Sequence, residues 1–354
     1  MKQSERNYKR IVIKIGSSLL CHERGIDFSF IEDISSQIAG LIKEKIEVII
    51  VSSGAIAFGM TKLSLESRPK ELSYLQAVAA IGQHELMNVY RDNFKNHGFC
   101  CAQLLLTRED LHDRRRYLNA KNTLLTLLKL KVVPIINEND TVSVDEIKFG
   151  DNDQLSAMVS GLISADLLIM LSDVDGLLDK DKKVISLVEE ITPQIKALAC
   201  PTSKKTCVGG MITKIEAAKI TTDSGSACVI ANGRRKGILS SVLKEPVNFG
   251  TLFLSNKNLA AKKRWIAFGA RPKGKIYVDD GAKKALLNNK SLLSVGVIAS
   301  DGDFGCGDII TIVDKQGNEF ARGRICVSCK QLDKIKGIRF EKEVVHCDNI
   351  VVLS

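Results

Sequence analysis

Residues 134–157 read PIINENDTVSVDEIKFGDNDQLSA, and this stretch joins the end of an apolar segment to two polar clusters. The apolar run Val132–Ile136 ends in the first polar cluster, Asn137–Asp140. The second polar cluster, Gly150–Asp153, begins ten residues after Asp140. Short apolar runs bounded by turn-forming residues are typical of buried parallel strands, and open α/β sheets bind ligands beyond the carboxyl ends of such strands. The stretch therefore predicts an α/β fold with a site for a small charged molecule.

Strand-like and helix-like segments alternate throughout residues 10–240. The apolar runs predict strands at Arg10–Ile15, Glu47–Ser52, Phe99–Leu104, Val132–Ile136, Asp166–Leu171 and Ala227–Ile230. The segments between them predict helices at Phe28–Lys45, Pro69–Asn96, Arg114–Lys131, Asn152–Ser164 and Gly210–Ser224. This alternation predicts a three-layer αβα sandwich around a mostly parallel sheet. Residues 141–149 alternate with period two and predict a hairpin.

The pattern changes after about residue 255. Short strands joined by Gly, Asp and Asn turns are predicted at Lys275–Val278, Ser294–Ile298, Ile309–Val313, Glu319–Arg324 and Val344–Ser354. Such a module of short strands is typical of a small β-rich barrel. We therefore predict a main domain over residues 1–255, a linker over residues 256–274 and a β-rich domain over residues 275–354.

Composition favours a cytoplasmic globular protein. Of the 354 residues, 45% are hydrophobic and 26% are charged, which is ordinary for such proteins. No apolar run reaches the roughly 18 residues of a membrane helix, and the polar start MKQSERNYKR does not resemble a signal peptide. The net charge of +10 is concentrated between residues 257 and 290, where ten basic residues face two acidic ones.

The spacing of the cysteines along the chain does not predict a metal site. Cys326 and Cys329 have the C-x-x-C spacing of a zinc ligand pair, but a structural zinc site needs four ligands. The other candidates, Cys306, His346 and Cys347, lie at irregular distances along the chain. We therefore favour reduced thiols that pack in or beside strands, and we assign no metal ligand from the protein.

Three small-residue turns could bind phosphate. Lys14 precedes Gly16-Ser17-Ser18, Ser52-Ser53-Gly54 follows the second strand, and Gly209-Gly210 precedes Lys214 at a helix start. Glycine turns allow close backbone approach, and helix N-termini favour anions. Taken alone, Lys14 beside its glycine turn is more often a solvated lysine, and Ser52-Ser53-Gly54 is more often an ordinary N-cap. The chain has no GxxxxGK[ST] motif, so a P-loop NTPase is not supported.

Taken together, the motifs KIGSS, VSSGAIAFG, IINENDTV, KFGDNDQLSA, LSDVDGL and GGMITK resemble the glutamate 5-kinase family of the amino acid kinase superfamily. The tail, with IYVDDGAKKALLNNKSLLSVGV and GDFGCGDIITIVD, resembles a PUA domain. The resemblance implies the amino acid kinase fold and transfer of the ATP γ-phosphoryl group to the side-chain carboxylate of L-glutamate. The product would be L-glutamyl 5-phosphate, the first intermediate of proline biosynthesis.

The resemblance also implies roles for individual residues. Ser53, Asp140 and Asn152 would bind glutamate, with Asp140 pairing with its ammonium group. Asp153 would organise Lys14 and Lys214, which would flank the transferring group with Mg²⁺ on the β and γ oxygens. The residues expected to bind ATP are Lys14, Ser172, Asp173, Val208, Gly209, Gly210, Met211, Ile212, Thr213 and Lys214.

Two departures from the family pattern affect the expected nucleotide pocket. Val208 replaces a Gly or Thr, and Leu178-Asp179-Lys180-Asp181 replaces a Tyr and an Asp-Pro after Leu177. Nucleotide preference is therefore a weaker expectation than phosphate binding. Feedback inhibition by proline is implied by the family, and a homo-oligomer is expected.

Two alternatives remain open at this point. Another amino acid kinase would act on acetylglutamate, aspartate, carbamate or UMP instead of glutamate. A nucleic-acid-binding role would use the PUA-like tail and the basic segment 257–290. RNA binding is not favoured, because this segment contains only Trp265, Phe268 and Tyr277 as stacking side chains.

Overall fold

The computed structural model describes residues 8–22, 25–142, 151–199, 210–255, 263 and 265–353. The hairpin predicted over residues 141–149 lies outside these ranges except for its first two residues, which form a turn. The chain divides into two compact units. The first comprises Met1–Asp110 and Arg115–Asn258, and the second comprises Leu111–Arg114 and Leu259–Ser354.

The first unit is built on an eight-stranded sheet with the order β5-β6-β4-β1-β7-β9-β10-β8. The strands are β1 Arg10–Ile15, β4 Glu47–Ser52, β5 Cys101–Leu106, β6 Val133–Glu138, β7 Leu167–Ser172, β8 Leu187–Val188, β9 Ala227–Asn232 and β10 Gly250–Phe253. A separate two-stranded ribbon pairs β2 Cys21–His22 with β3 Gly25–Ile26. Among the described strand pairings of the large sheet, only that of β9 with β10 is antiparallel, and β8 runs parallel to β10. The predicted mostly parallel sheet is therefore confirmed.

Helices cover both faces of this sheet. The helices along this part of the chain are α1 Ser17–Leu20, α2 Phe28–Lys43, α3 Ala55–Lys62, α4 Leu72–Asn96, α5 Arg108–His112, α6 Arg114–Lys129, α7 Asp151–Ile163, α8 Pro193–Leu198, α9 Met211–Asp223, α10 Ile238–Lys244 and α11 Pro246–Phe249. The apolar sides of α2, α4 and α10 share one hydrophobic cluster with the strands. Helix α7 contacts β1, β4, β6 and β7, and packs beside α9.

The alternation of side chains along β1 decides which face carries the polar cluster described below. Ile11, Ile13 and Ile15 belong to the cluster with α2, α4 and α10. Successive side chains of a strand point to opposite faces, so Val12 and Lys14 point to the face covered by α7. A lysine at the end of this strand therefore lies under the helix that begins at Asp151.

The second unit contains a five-stranded sheet with the order β12-β11-β13-β14-β15. Its elements are β11 Gly274–Val278, α12 Asp280–Leu287, β12 Val297–Gly302, β13 Ile309–Val313, β14 Glu319–Arg324, α13 Cys329–Ile335 and β15 Ile350–Val352. A π-helical turn, Trp265–Gly269, precedes the sheet. Trp265 is the only tryptophan of the chain, and its side chain is buried.

Two strands of the second unit differ from their predictions. Residues Ser294–Gly296 form a 3₁₀ turn, so the predicted strand at Ser294–Ile298 begins only at Val297. The predicted strand Val344–Ser354 forms only over Ile350–Val352, and a 3₁₀ turn over Cys347–Asn349 precedes it, in which the His346 side chain accepts a hydrogen bond from the backbone N–H of Asp348. Local side-chain bonds of this kind compete with the strand ladder.

No helix within the described ranges has the length and apolar character needed to cross a membrane.

Candidate active site

The carboxyl ends of four neighbouring strands meet at one edge of the large sheet. In the register of β1, Ile15 lies opposite Ser52 of β4 and Leu171 of β7, and Val51 lies opposite Ile136 of β6. The turns after β1 and β4 continue this alignment, since Ser53 N–H donates to Ile15 O at 3.1 Å. The polar residues that follow these strands therefore share one edge.

Lys14, Asp153 and Lys214 form a buried ionic cluster at this edge. Lys14 Nζ lies 2.6 Å from Asp153 Oδ1, and Lys214 Nζ lies 3.4 Å from Asp153 Oδ2. The Asp153 side chain is 1% exposed, and the two lysine side chains are 7% and 10% exposed. Thr213 Oγ1 also donates to Asp153 Oδ2 at 2.8 Å. One carboxylate therefore orients two cations and a hydroxyl.

The environment keeps Asp153 ionised. Burial acts to raise the pKa of Asp153, but the charges of Lys14 and Lys214 and the hydrogen bond from Thr213 outweigh it and lower the pKa. Burial lowers the pKa of Lys214, and the positive charge of Lys14 acts in the same direction against the attraction of Asp153. The cluster has one more positive than negative charge, which suits an incoming anion.

Two helix starts bring Asp153 and Lys214 together. Asp153 lies in the first turn of α7, and Lys214 lies in the first turn of α9. Helix α9 begins after Gly210, whose φ of 116° is accessible mainly to glycine. Thr213 lies in the first turn of α9, and its hydroxyl is within hydrogen-bond distance of Asp153 Oδ2 and of Gly210 O.

Asn152 joins the two polar clusters of residues 134–157. Its Nδ2 group donates to Ser53 Oγ at 3.0 Å and to Asn137 Oδ1 at 3.0 Å. Asn137 Nδ2 in turn donates to Gln83 Oε1 at 2.7 Å, and Asn137 is 1% exposed. Ser53 itself lies before Gly54, whose φ of 105° opens α3. The structure therefore brings the predicted substrate residues Ser53 and Asn152 into direct contact.

Asp140, the third residue expected to bind substrate, lies further along the same edge. It lines a cavity of about 330 Å³ together with Gln83, Glu138, Asn139 and other residues of α4 and β5. Gln83 therefore links the cavity to Asn137 and Asn152.

Ser172 and Asp173 end β7 on the other side of Lys14. Ser172 Oγ donates to Asp173 Oδ1 at 2.9 Å, and Ser172 is 5% exposed. Burial acts to raise the pKa of Asp173, but hydrogen bonds from Ser172 and Ser18 and the charge of Lys214 lower it. Asp173 is therefore an ionised carboxylate that faces the lysine cluster.

The remaining predicted nucleotide residues are only partly described. Gly210 is exposed, and Met211, Ile212 and Thr213 are half-buried in the first turn of α9. Val208 and Gly209 lie outside the described residues, so the expected effect of Val208 stays a prediction.

Sequence reasoning did not assign Gln83, Tyr90 or Asn137 to the site. The Tyr90 hydroxyl lies 2.9 Å from Ser52 Oγ beneath the Ser53 turn, and burial raises its pKa. All three reach the site through contacts with residues that are far away in the sequence, and such contacts are not visible in the sequence. Only Asn137, which is part of the NEND motif, had a signal in the sequence that could have placed it there.

The cysteines of the second unit do not assemble the ligand set considered for zinc. Cys329 Sγ lies 3.3 Å from Asp303 Oδ1, and Cys326 is exposed. Among the described residues, the one group with metal-ligand spacing is His346, Cys347 and Asp348. His346 Nδ1 accepts the Asp348 N–H at 3.1 Å, so its lone pair is already engaged. We assign no metal site there.

Comparisons with known proteins match both units. Residues 9–232 match the model of the amino acid kinase family, and residues 274–347 match the PUA domain. A glutamate 5-kinase of Caldanaerobacter subterraneus subsp. tengcongensis is 47% identical over 98% of both chains. Relatives of the same name from Thermoanaerobacter sp. and Syntrophotalea carbinolica are 45% and 44% identical, over 98% and 97% of both chains.

Proposed function

The chain belongs to the amino acid kinase family and, within it, to the glutamate 5-kinases, and we propose that it transfers the γ-phosphoryl group of ATP to the side-chain carboxylate of L-glutamate. The product is L-glutamyl 5-phosphate, an intermediate of proline biosynthesis. The identity of about 43–47% across nearly the full length of many relatives supports this activity.

The single observation that carries the proposal is the Lys14–Asp153–Lys214 cluster. A glutamate side chain has a pKa of about 4.3 and is already ionised at neutral pH, so the nucleophile needs no general base. The difficulty is to bring this anion to an anionic polyphosphate. Two lysines held on one carboxylate, at 2.6 and 3.4 Å, would stabilise the charge of the transferring group.

The two sides of the cluster suit different parts of the reaction. On the side of Ser53 and Asn152, hydroxyl and amide groups would hold glutamate, with Asp140 paired with its ammonium group. On the side of Ser172 and Asp173, the phosphates would lie near Lys14 and the first turn of α9, where Lys214 is placed. The close contact between Asn152 and Ser53 supports a preformed substrate turn.

A kinase that uses ATP works with a divalent cation, and we propose Mg²⁺. In ATP sites this ion is held by one or two carboxylates and by phosphate oxygens. The residues present fit such an ion, because Asp173 supplies an ionised carboxylate at this edge, whereas both oxygens of Asp153 face lysines. When bound, the cation neutralises charge on the β and γ phosphate oxygens.

A substrate panel tests the proposal. The purified protein is assayed with ATP, Mg²⁺ and, in turn, L-glutamate, N-acetyl-L-glutamate, L-aspartate, carbamate and UMP, with ADP formation and acyl phosphate trapping by hydroxylamine as readouts. We expect a hydroxamate with glutamate alone. Phosphorylation of acetylglutamate without phosphorylation of glutamate would overturn the assignment.

We also propose that proline inhibits the reaction, because proline has the skeleton of a cyclised glutamate. A proline titration at several glutamate concentrations measures this directly. Inhibition that weakens as glutamate rises would place both molecules in competing sites, and the absence of inhibition at millimolar proline would remove the proposal.

The cellular context is proposed in the same way. We propose a cytoplasmic homo-oligomer with the domain limits 1–255, 256–274 and 275–354. Light scattering coupled to size exclusion measures the assembly, and fractionation of cells measures the location. RNA binding by the tail is the less favoured alternative, and a salt-sensitive shift of an RNA probe would support it.

A further inference from the structure

Arg234, in the turn between β9 and α10, contacts the turn that follows Lys14. Its Nη2 group donates to the backbone carbonyl of Ser18 at 3.2 Å. Its Nη1 group forms an ion pair with the carboxylate of Asp27, and its guanidinium carbon lies 5.4 Å from the centre of the Phe30 ring. The edge and the face of the guanidinium are thus engaged by the protein itself.

Asp27 is a well-held partner for Arg234. It is 9% exposed, and its Oδ1 atom caps α2 by accepting Phe30 N–H at 3.0 Å. Burial acts to raise the pKa of Asp27, but hydrogen bonds from Ser29, Arg234 and Phe30 outweigh it and lower the pKa to about 2. Its own N–H donates to Leu20 O at 2.8 Å, which ties it to the end of α1.

The segments around Arg234 pack without spare room. Gly233 N–H donates to Ser172 O at 2.9 Å, and Gly16 N–H donates to Leu171 O at 3.2 Å. A Cβ atom on Gly233 would lie 2.5 Å from Leu19 Cδ1. The turn after β1, the end of β7 and the start of the β9–α10 turn therefore form one tightly bonded group.

We propose that Arg234 is a positioning residue for the nucleotide side of the site, which holds the Ser18 backbone so that the Ser18 hydroxyl reaches Asp173. The Ser18 side chain is one of the hydrogen-bond donors to the Asp173 carboxylate, and Arg234 binds the backbone carbonyl of the same serine. Because Arg234 is engaged by Asp27, Ser18 and Phe30, it acts through the turn and not on phosphate. The inference rests on the proposed function, since it takes ATP as the ligand at Asp173.

The test compares Arg234→Ala and Arg234→Lys with the wild type in steady-state kinetics. We expect KM for ATP to rise roughly five- to tenfold in both, with kcat and KM for glutamate nearly unchanged, as the loss of one or two hydrogen bonds predicts. Lysine does not restore the function, because a single ammonium group cannot bridge Asp27 and Ser18 as a planar fork does. Arg91→Ala is the matched control, since Arg91 pairs with Asp92 on the exposed side of α4 and should leave all constants unchanged.

A double-mutant cycle shows whether Arg234 acts through Ser18. If it does, Ser18→Ala alone raises KM for ATP, and the Arg234→Ala/Ser18→Ala pair raises it no further than the larger single change. The proposal is overturned if the rise in KM for ATP in the double variant equals the product of the rises in the two single variants. It is also overturned if KM for ATP is unchanged in either single variant. Ser18→Ala keeps the test valid if Arg234→Ala fails to fold.

A binding readout separates this inference from the proposed function. The affinity for ATP with Mg²⁺, without glutamate, is measured by calorimetry for the wild type and the Arg234 variants. Weaker binding in the variants supports the positioning role whatever the acceptor substrate is. Equal ATP affinity in the wild type and Arg234→Ala contradicts it, whereas absence of glutamate phosphorylation by the wild type contradicts only the proposed function.

Discussion

At the scale of single residues, one buried carboxylate holds the ionic cluster together. Asp153 is 1% exposed and contacts Lys14, Lys214 and Thr213. The residue types were recognisable from the sequence, because each lies beside a glycine turn or a polar cluster at the end of a predicted element. The distances between them were not, since they depend on how three elements far apart in the chain pack together. The roles assigned to these residues stay predictions.

Asp153→Asn should lower kcat about a hundredfold or more, because the neutral amide leaves two buried ammonium groups without a counter-charge. Steady-state kinetics with ATP and glutamate measures the change, and circular dichroism checks that the variant is folded. Asp223→Asn is the control, since Asp223 pairs with Lys219 on the same helix as Lys214 but outside the cluster. A wild-type kcat in Asp153→Asn would remove its organising role.

Lys214 should set the alkaline limit of activity. Burial lowers its pKa below the ordinary lysine value, so its charge is lost at a lower pH than that of an exposed lysine. The rate at low ATP should therefore fall at a lower pH than an exposed lysine would give, because phosphate binding needs the protonated form. In Lys214→Arg, which stays charged, the alkaline fall should move to higher pH or disappear. A pH–rate profile from about pH 7 to 10 decides this, and an identical fall in both proteins would assign the limit to another group.

At the scale of helices and strands, the sequence predicted the elements of the first unit well and their ends less well. The predicted helices Phe28–Lys45, Arg114–Lys131 and Asn152–Ser164 each end earlier than expected. They stop because Lys45, Lys131 and Ser164 adopt positive φ values of 66°, 58° and 56°. Glycine or asparagine usually occupies such a position. Because these three helices end at lysine or serine instead, their ends could not be predicted from the sequence.

A close crossing of α3 and α4 is the element-scale feature that supports the turn at Ser53. A Cβ atom on Gly82 would lie 1.8 Å from Ala55 O, and one on Gly59 would lie 2.0 Å from Val78 O. Helix α3 begins directly after Ser53 and Gly54. The two glycines therefore let the backbones touch and hold the start of α3 in place.

Gly82→Ala should destabilise the protein by about 3 kcal/mol or more, because the added methyl group forces the two backbones apart. It should also raise KM for glutamate through movement of the Ser53 turn. Denaturant unfolding and kinetics measure the two effects. Gly40→Ala in α2 is the control, since a Cβ atom there meets nothing within 4 Å, and it should be neutral or slightly stabilising. Equal stability of Gly82→Ala and the wild type would contradict the crossing.

At the scale of the whole molecule, each unit has its own hydrophobic core. One cluster includes Ile13, Ile50 and Ile169 of the large sheet, and the other includes Ile276, Ile310 and Ile312 of the small sheet. The division of the sequence into an α/β part and a β-rich part followed from the change in hydrophobic period. The helices α12 and α13 were missed, because their short amphipathic patterns resemble those of turns and strands. The proposed linker lies largely outside the described residues.

Deletion of residues 275–354 should leave glutamate kinase activity, because every residue of the Lys14–Asp153–Lys214 cluster lies in the first unit. We expect kcat and both KM values within about threefold of the full chain, as for independent sites. Circular dichroism on the shortened protein establishes that it is folded. A folded but inactive first unit would show that the tail contributes to catalysis.

The single tryptophan gives this chain an optical label on one unit only. Trp265 is buried in the second unit, so indole emission on selective excitation follows the unfolding of that unit, and the unit with the ionic cluster contributes none. Loss of enzyme turnover follows the other unit. Two denaturation curves recorded on unmodified protein, one by emission and one by turnover, therefore measure the cooperativity between the units without any dye or engineered probe.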